Sequence, residues 1–100
     1  MFQNEQSNQQ KATRRLRLNT SMGLHARPAS LMAKTAAQFS AKVTVRTEAD
    51  DEGVNAASVL GILTLAAEPG AHLEFVAEGH DALDALDALE KLFNDNFGEK

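Results

Sequence analysis

A histidine and an arginine stand two positions apart in the stretch Gly23-Leu24-His25-Ala26-Arg27-Pro28-Ala29-Ser30. A neutral imidazole is a nucleophile, and a guanidinium is a forked receptor for an anion. Pro28 fixes where a helix can begin, because its missing N–H costs nothing in a first turn but breaks a helix interior. A helix is therefore expected from about Ala26 through Leu31, Met32, Ala33 and Lys34, with His25 at or near its N-cap. The first-turn N–H groups of such a helix lack intrahelical partners, and the dipole adds positive potential. That potential disfavours an imidazolium, so His25 keeps a lone pair for attack. The residue types and spacing make an anion site beside a nucleophile. The chemistry they imply is a phosphoryl group carried on His25, its oxygens received by Arg27 and the free N–H groups without a metal. Gly23 gives the backbone freedom to turn sharply just before it.

Taken alone, His25 equally fits a helix cap or a plain surface histidine, and Gly23 and Pro28 are ordinary punctuation. Arg27 shifts the balance toward an anion site. His72 and His80 have no such companion and read as surface residues.

The elements that must position this stretch follow from periodicity. Residues 1–12 are rich in Gln and poor in apolar residues, and read as a disordered tail ahead of a domain over residues 13–97. Thr13 to Asn19 alternates, with Leu16 and Leu18 on one face and Arg15 and Arg17 on the other, as a half-buried strand does. Helix one is expected to reach Phe39, with Leu31, Ala36 and Phe39 in the core. Ala41 to Glu48 alternates again, and Ala49-Asp50-Asp51-Glu52-Gly53 is a turn into a short strand around Gly53 to Asn55. A second helix is expected over about Ala57–Ala66, capped by Asn55 or a neighbour and ended before Pro69-Gly70. A last strand covers His72–Glu78, and a last helix Asp81–Asn94 carries the apolar stripe Ala82, Leu86, Leu89, Phe93. Asp84, Asp87 and Lys91 fall on its wet face, Asp87 and Lys91 at the i, i+4 spacing of a helical ion pair. The order β-α-β-β-α-β-α gives a two-layer α+β domain with helices on one face of an antiparallel sheet.

One hundred residues suffice for one core. There is no Cys, hence no disulfide frame and no thiolate metal site. No run approaches the ~20 apolar residues of a membrane span, and no apolar signal region opens the chain; a cytoplasmic protein without metal or cofactor is expected. The net charge of −4 is asymmetric. Residues 1–46 hold eight Lys/Arg against the single acid Glu5, and residues 47–100 hold two against thirteen acids. A basic half can signal nucleic acid, but no aromatic stacking set accompanies these few charges. An acidic protein partner meeting the His25 face fits better.

The eight residues around His25 resemble the active-site motif of HPr, the histidine-containing phosphocarrier of the bacterial sugar phosphotransferase system. A second stretch, Val54-Asn55-Ala56-Ala57-Ser58-Val59-Leu60-Gly61-Ile62-Leu63-Thr64-Leu65, is also similar to that family, and the resemblance spans roughly residues 13 to 95. It implies an open-faced sandwich, a four-stranded antiparallel sheet of order 1-4-2-3 with three helices on one face. It implies that Nδ1 of His25 accepts a phosphoryl group from a phosphohistidine of an enzyme I-type protein and passes it to an enzyme II A component. The protein is then a monomeric substrate of two partners more than an enzyme, with Arg27 stabilising the phosphate. Ser58 matches the serine that HPr kinase/phosphorylase modifies in some bacteria, although Ala57 replaces a Lys common before it. Ser58-Val59-Leu60-Gly61 resembles the sugar branch, while Met22 and Leu92-Phe93-Asn94-Asp95-Asn96-Phe97 resemble the nitrogen-related homologue. A regulatory binding module without phosphotransfer is the alternative of a different class, and the joint presence of His25 and Arg27 argues against it.

The second helix is too apolar for a helix with one buried stripe. Ile62 and Leu65 can form that stripe, which leaves Val59, Leu60 and Leu63 toward solvent. Either a loop or the tail covers them, or they are an exposed docking patch. The resemblance implies the second: a partner surface of Val59, Leu60, Leu63 and Thr64 with Ala26, Arg27, Ser30 and Lys34 from helix one.

Overall fold

The computed structural model describes residues 10–99. Four strands, β1 (Gln10–Arg17), β2 (Lys42–Thr47), β3 (Val54–Asn55) and β4 (His72–Gly79), form one antiparallel sheet in the order β1-β4-β2-β3. Helices α1 (Ala26–Ala36), α2 (Val59–Leu63) and α3 (Ala82–Asn94) cover one face. A short 3-10 turn, Asn96–Gly98, follows α3. Alternation decides which strand residues meet the helices. Leu16 on β1, Val43 and Val45 on β2, and Leu73, Phe75 and Ala77 on β4 are all buried. Against them α1 lays Ala29, Met32, Ala33 and Ala36, and α3 lays Ala82, Ala85, Leu86, Leu89 and Phe93. Phe75 meets Phe93 edge-on, with ring centroids 5.6 Å apart.

The first strand spans Gln10–Arg17, so Gln10, Lys11 and Ala12, read from the sequence as tail, are paired strand residues. Their own composition is polar; β4 sets the length of the strand. It offers a partner at every position, down to Ala12↔Ala77, Lys11↔Glu78 and Gln10↔Gly79. The rest of the expected tail, residues 1–9, lies outside the described residues. At its other end β1 stops at Arg17, two residues early, because Leu18 turns to exchange both backbone hydrogen bonds with the Gly70–Ala71 turn.

Both shorter helices fall short of expectation. After Ala36, Gln38 and Phe39 donate to Thr35 and Ala36, an i to i−3 pattern that closes α1 as a turn. Leu31 and Phe39, expected in the core, are only partly buried at its rim. The second helix is one and a half turns: Ser58 caps it, Leu65 and Ala66 again bond three residues back, and Ala66 at φ 51° ends it. Asn55 makes a separate turn, its Oδ1 accepting from the N–H of Ala57 at 2.9 Å. On α3 the expected Asp87–Lys91 pair gives way to a longer-range one. Arg14 of β1 donates to Asp87 at 2.7 Å and to Glu90 at 3.0 Å, tying the edge strand to the helix. Asp87 is the main cause that raises the Arg14 pKa.

Candidate functional site

The site stretch begins with a loop that has little freedom. Gly23 has φ +72°, and a Cβ there would come within 2.7 Å of the Ala67 carbonyl oxygen. Leu24 donates to that same oxygen at 2.9 Å, and the fully buried Thr20 hydroxyl donates to the Gly23 carbonyl. The loop is thus fastened to the Ala67–Gly70 turn, and only glycine fits at its closest approach.

His25 is the N-cap of α1, extended at φ −117°, ψ −171°, and no side chain caps that end. The first intrahelical bond runs from Ala29 N–H to the His25 carbonyl at 3.0 Å. Pro28 has no N–H and is buried beneath the turn, so Ala26 and Arg27 bring the free first-turn N–H groups. Arg27 is exposed and forms no ion pair among the described residues. The segment that carries the imidazole thus also carries two first-turn amide donors, the positive end of an 11-residue helix and a guanidinium with no ion-paired anion among the described residues. Ala26, Ser30 and Lys34 are exposed along the same helix.

One side chain at the site was missed by sequence reasoning. Glu99 lies outside the expected domain limit at Phe97, yet its Oε2 is 3.3 Å from Nε2 of His25. The side chains are 34% and 20% exposed. The available signal was Phe97, an apolar residue past the end of the α3 stripe; it is buried and packs on Phe93 with ring centroids 4.8 Å apart, which carries the chain end back toward His25.

The apolar surface is narrower than expected. Leu60 is 77% exposed and Thr64 is exposed, but Val59, Leu63 and Leu65 are all partly buried against the core. Leu65, expected to be buried with Ile62, is thus only half-buried, and so are Val59 and Leu63, expected toward solvent. Met22, just before Gly23, is the second large exposed apolar side chain, at 74%. Ser58 is half-buried, and its Oγ accepts from Gly61 N–H at 3.0 Å as the α2 cap. His80 is exposed, while His72 is partly buried on the sheet face away from the helices, beside a cavity of about 240 Å³.

This arrangement can be set beside known proteins. The family described as the PTS HPr component phosphorylation site matches residues 12–95. The chain belongs to the HPr family. Among HPr relatives, the phosphocarrier protein HPr of Treponema pallidum is 42% identical over 78 residues, 78% of this chain and 86% of that protein. The phosphocarrier protein NPr of Proteus mirabilis is 38% identical over 88 residues, 86% of this chain and 94% of that protein. The crystal structure of HPr-C-His from Thermoanaerobacter tengcongensis superposes with a TM-score of 0.81 at 38% identity, covering 89% of this chain and 98% of that one. HPr structures thus share the sheet order and three-helix layer found here. No helix among the described residues is long and apolar enough to cross a membrane.

Proposed function

We propose that the protein is a phosphocarrier that takes a phosphoryl group on Nδ1 of His25 from the phosphohistidine of an enzyme I-type protein. It delivers the group to an enzyme II A component of the phosphoenolpyruvate-dependent sugar phosphotransferase system, in the cytoplasm and as a monomer. The single observation that carries this reading is the start of α1, which no side chain caps and where His25 stands two residues from Arg27, a guanidinium without an ion pair among the described residues. In transfer, the carrier contributes alignment and charge. The imidazole attacks phosphorus, and Arg27 with the Ala26 and Arg27 amides takes up the charge of the phosphoryl oxygens. Leu60, Thr64, Ala26, Ser30 and Lys34 form the partner face, with the exposed edges of Val59 and Leu63. Met22 extends it on the loop side. The deciding experiment is incubation with phosphoenolpyruvate and an enzyme I-type protein: acid-labile phosphate on His25 is expected, and its absence sinks the reading.

Relatives from both branches, HPr and NPr, match comparably, so the nitrogen-related role stands as the second reading of the same chemistry. Met22 and the Leu92–Phe97 ending favour it; Ser58-Val59-Leu60-Gly61 favours the sugar branch. Transfer from the purified enzyme I-type proteins of the two branches, measured side by side, separates them. Ser58 is proposed as a regulatory phosphoserine for an HPr kinase/phosphorylase. Its place at the start of α2 beside Leu60 supports this, since a phosphate there suits the helix end while charging the rim of the docking face.

A further inference from the structure

The chain end is held in a costly conformation. Asn96, Phe97 and Gly98 follow one another at φ 51°, 54° and 78°. Asparagine tolerates the left-handed region and glycine is at ease in it, but a phenylalanine there is strained. Asn96 Oδ1 is in addition buried without a hydrogen-bond partner among the described residues. Burial of the Phe97 ring against Phe93 holds the turn in place. The Gly98 and Glu99 N–H groups complete it by donating to Asp95 and Asn96. What this strained turn achieves is a reversal of the chain that lays Glu99 on His25. It passes close to Arg27 on the way, for a Cβ on Gly98 would lie 3.7 Å from Arg27 Nη2.

We propose that Glu99 is a positioning residue for His25. Its carboxylate accepts the Nε2–H, fixes the ring in the Nε2-protonated tautomer, and leaves the lone pair on Nδ1. The hydrogen bond made by one ring nitrogen decides which nitrogen carries the proton, and the contact is at Nε2, 3.3 Å from Oε2. Nδ1 has no hydrogen-bond partner among the described residues. This deepens the phosphocarrier reading and rests on it. In the forward step the Nδ1 lone pair forms a bond to phosphorus. The N–P bond of the donor's phosphohistidine breaks, and the donor ring keeps that electron pair. His25 becomes a phosphorylimidazolium whose one ring proton is on Nε2, facing the Glu99 carboxylate. When the next nucleophile takes the phosphorus, the pair returns to Nδ1 and the proton never leaves the His25–Glu99 contact. Glu99 thus balances the ring charge that appears on phosphorylation, from the side opposite to the incoming phosphate.

The test uses the full chain with ring-15N-labelled histidine, as wild type, Glu99→Ala and Glu99→Gln, each retaining Phe97. Long-range 1H–15N spectra at a pH where the ring is neutral read the tautomer populations of His25. Wild type is expected to be almost wholly Nε2-protonated, Glu99→Ala to relax to the weaker Nε2 preference of a free histidine ring, and Glu99→Gln to recover the stronger one through its amide oxygen. Phosphoryl transfer from the phosphorylated donor should fall about fivefold in Glu99→Ala, the upper range for a partly exposed ion pair. Glu99→Gln should regain only part of the rate, because a neutral amide orients the ring but does not balance its charge. Unchanged tautomers in Glu99→Ala overturn the proposal, as do shifted tautomers with wild-type transfer rates. If wild type accepts no phosphate at all, the phosphocarrier reading falls, and the spectra still decide whether Glu99 sets the tautomer.

Discussion

The same residue types are gathered twice on this molecule. At the start of α1 stand His25, Arg27 and Glu99; on the outer face of the sheet stand His72, Arg15, Arg46, Glu48 and Glu74, around the cavity of about 240 Å³. The second group is larger and richer in charge, yet its guanidinium groups are all committed. Arg46 holds Glu74 through Nη2 at 2.7 Å and the Asp50 carbonyl through Nη1 at 2.9 Å, and Arg15 holds Glu48. In the first group the one carboxylate faces the imidazole, and Arg27 faces solvent. A phosphate approaching the sheet face would have to displace carboxylates from arginines. One approaching α1 meets a guanidinium, amide donors and a dipole already turned outward. Unpaired charge of one sign, not the inventory of residues, separates a site from a solvated surface.

The largest expected effect tests that contrast directly. His25→Ala should abolish acid-labile phosphate, while His72→Ala leaves its amount and rate unchanged; labelling with phosphoenolpyruvate and an enzyme I-type protein measures both. Next, Arg27→Ala should slow transfer by about tenfold to a hundredfold, the weight of about 1.5–3 kcal/mol for hydrogen bonds to a charged group. Arg46→Ala should leave transfer untouched. Equal losses in the two arginine variants would erase the distinction between the groups.

Leu60→Glu sharpens the comparison at the rim of the site. Its exposed side chain predicts a stability change within about 0.5 kcal/mol, read as an unshifted thermal melt, together with a partner affinity about tenfold weaker, since a charge on a docking face must be desolvated. Ser58→Asp should act in the same direction more mildly, with transfer to His25 slowed and the melt flat or slightly raised. Wild-type transfer by Ser58→Asp would leave the serine as a cap alone.

The smallest effect lies outside both groups. Asp81 accepts from the N–H groups of Ser40 and Ala41 at 2.9 and 2.8 Å, tying the loop after α1 to the start of α3. These bonds, that of Ser40 first, hold its carboxyl below the ordinary range. A carboxyl with a lowered pKa in the folded state stabilises above the unfolded pKa and loses that contribution as pH falls through the folded one. Asp81→Ala should therefore melt slightly below wild type at pH 7, and the gap should close as the pH drops below about 4.

Much of this was legible because local rules and the fold agree. The alternation around Leu16, Val45 and Phe75 fixed the strand faces, and Pro28 put His25 at or near the helix start, where the structure has it as the N-cap. Where sequence reasoning fell short, the deciding partner was distant in the chain. Gln10–Ala12 are strand residues only because Glu78 and Gly79 are there to pair with them. Val59 and Leu63 are partly covered because α2 stops after five residues, a length their periodicity does not carry. Glu99 lies 3.3 Å from His25 because a left-handed turn brings it there, and the single apolar Phe97 that anchors the turn does not reveal its direction.

The sheet order has a consequence for how the protein is made. β1 pairs with β4 alone, and β2 has only the two-residue β3 as a partner until β4 arrives. A nascent chain that has not yet delivered His72–Gly79 has its first strand unpaired and its longest ladders absent. Such high contact order delays closure of the core until most of the sequence has left the ribosome. The stretch holding His25 emerges early, but Leu24 is bonded to Ala67, and Glu99 emerges only after α3. The fold that holds the His25 segment is thus completed as a single late event in biosynthesis, and chains truncated within α3 should remain substrates for proteolysis.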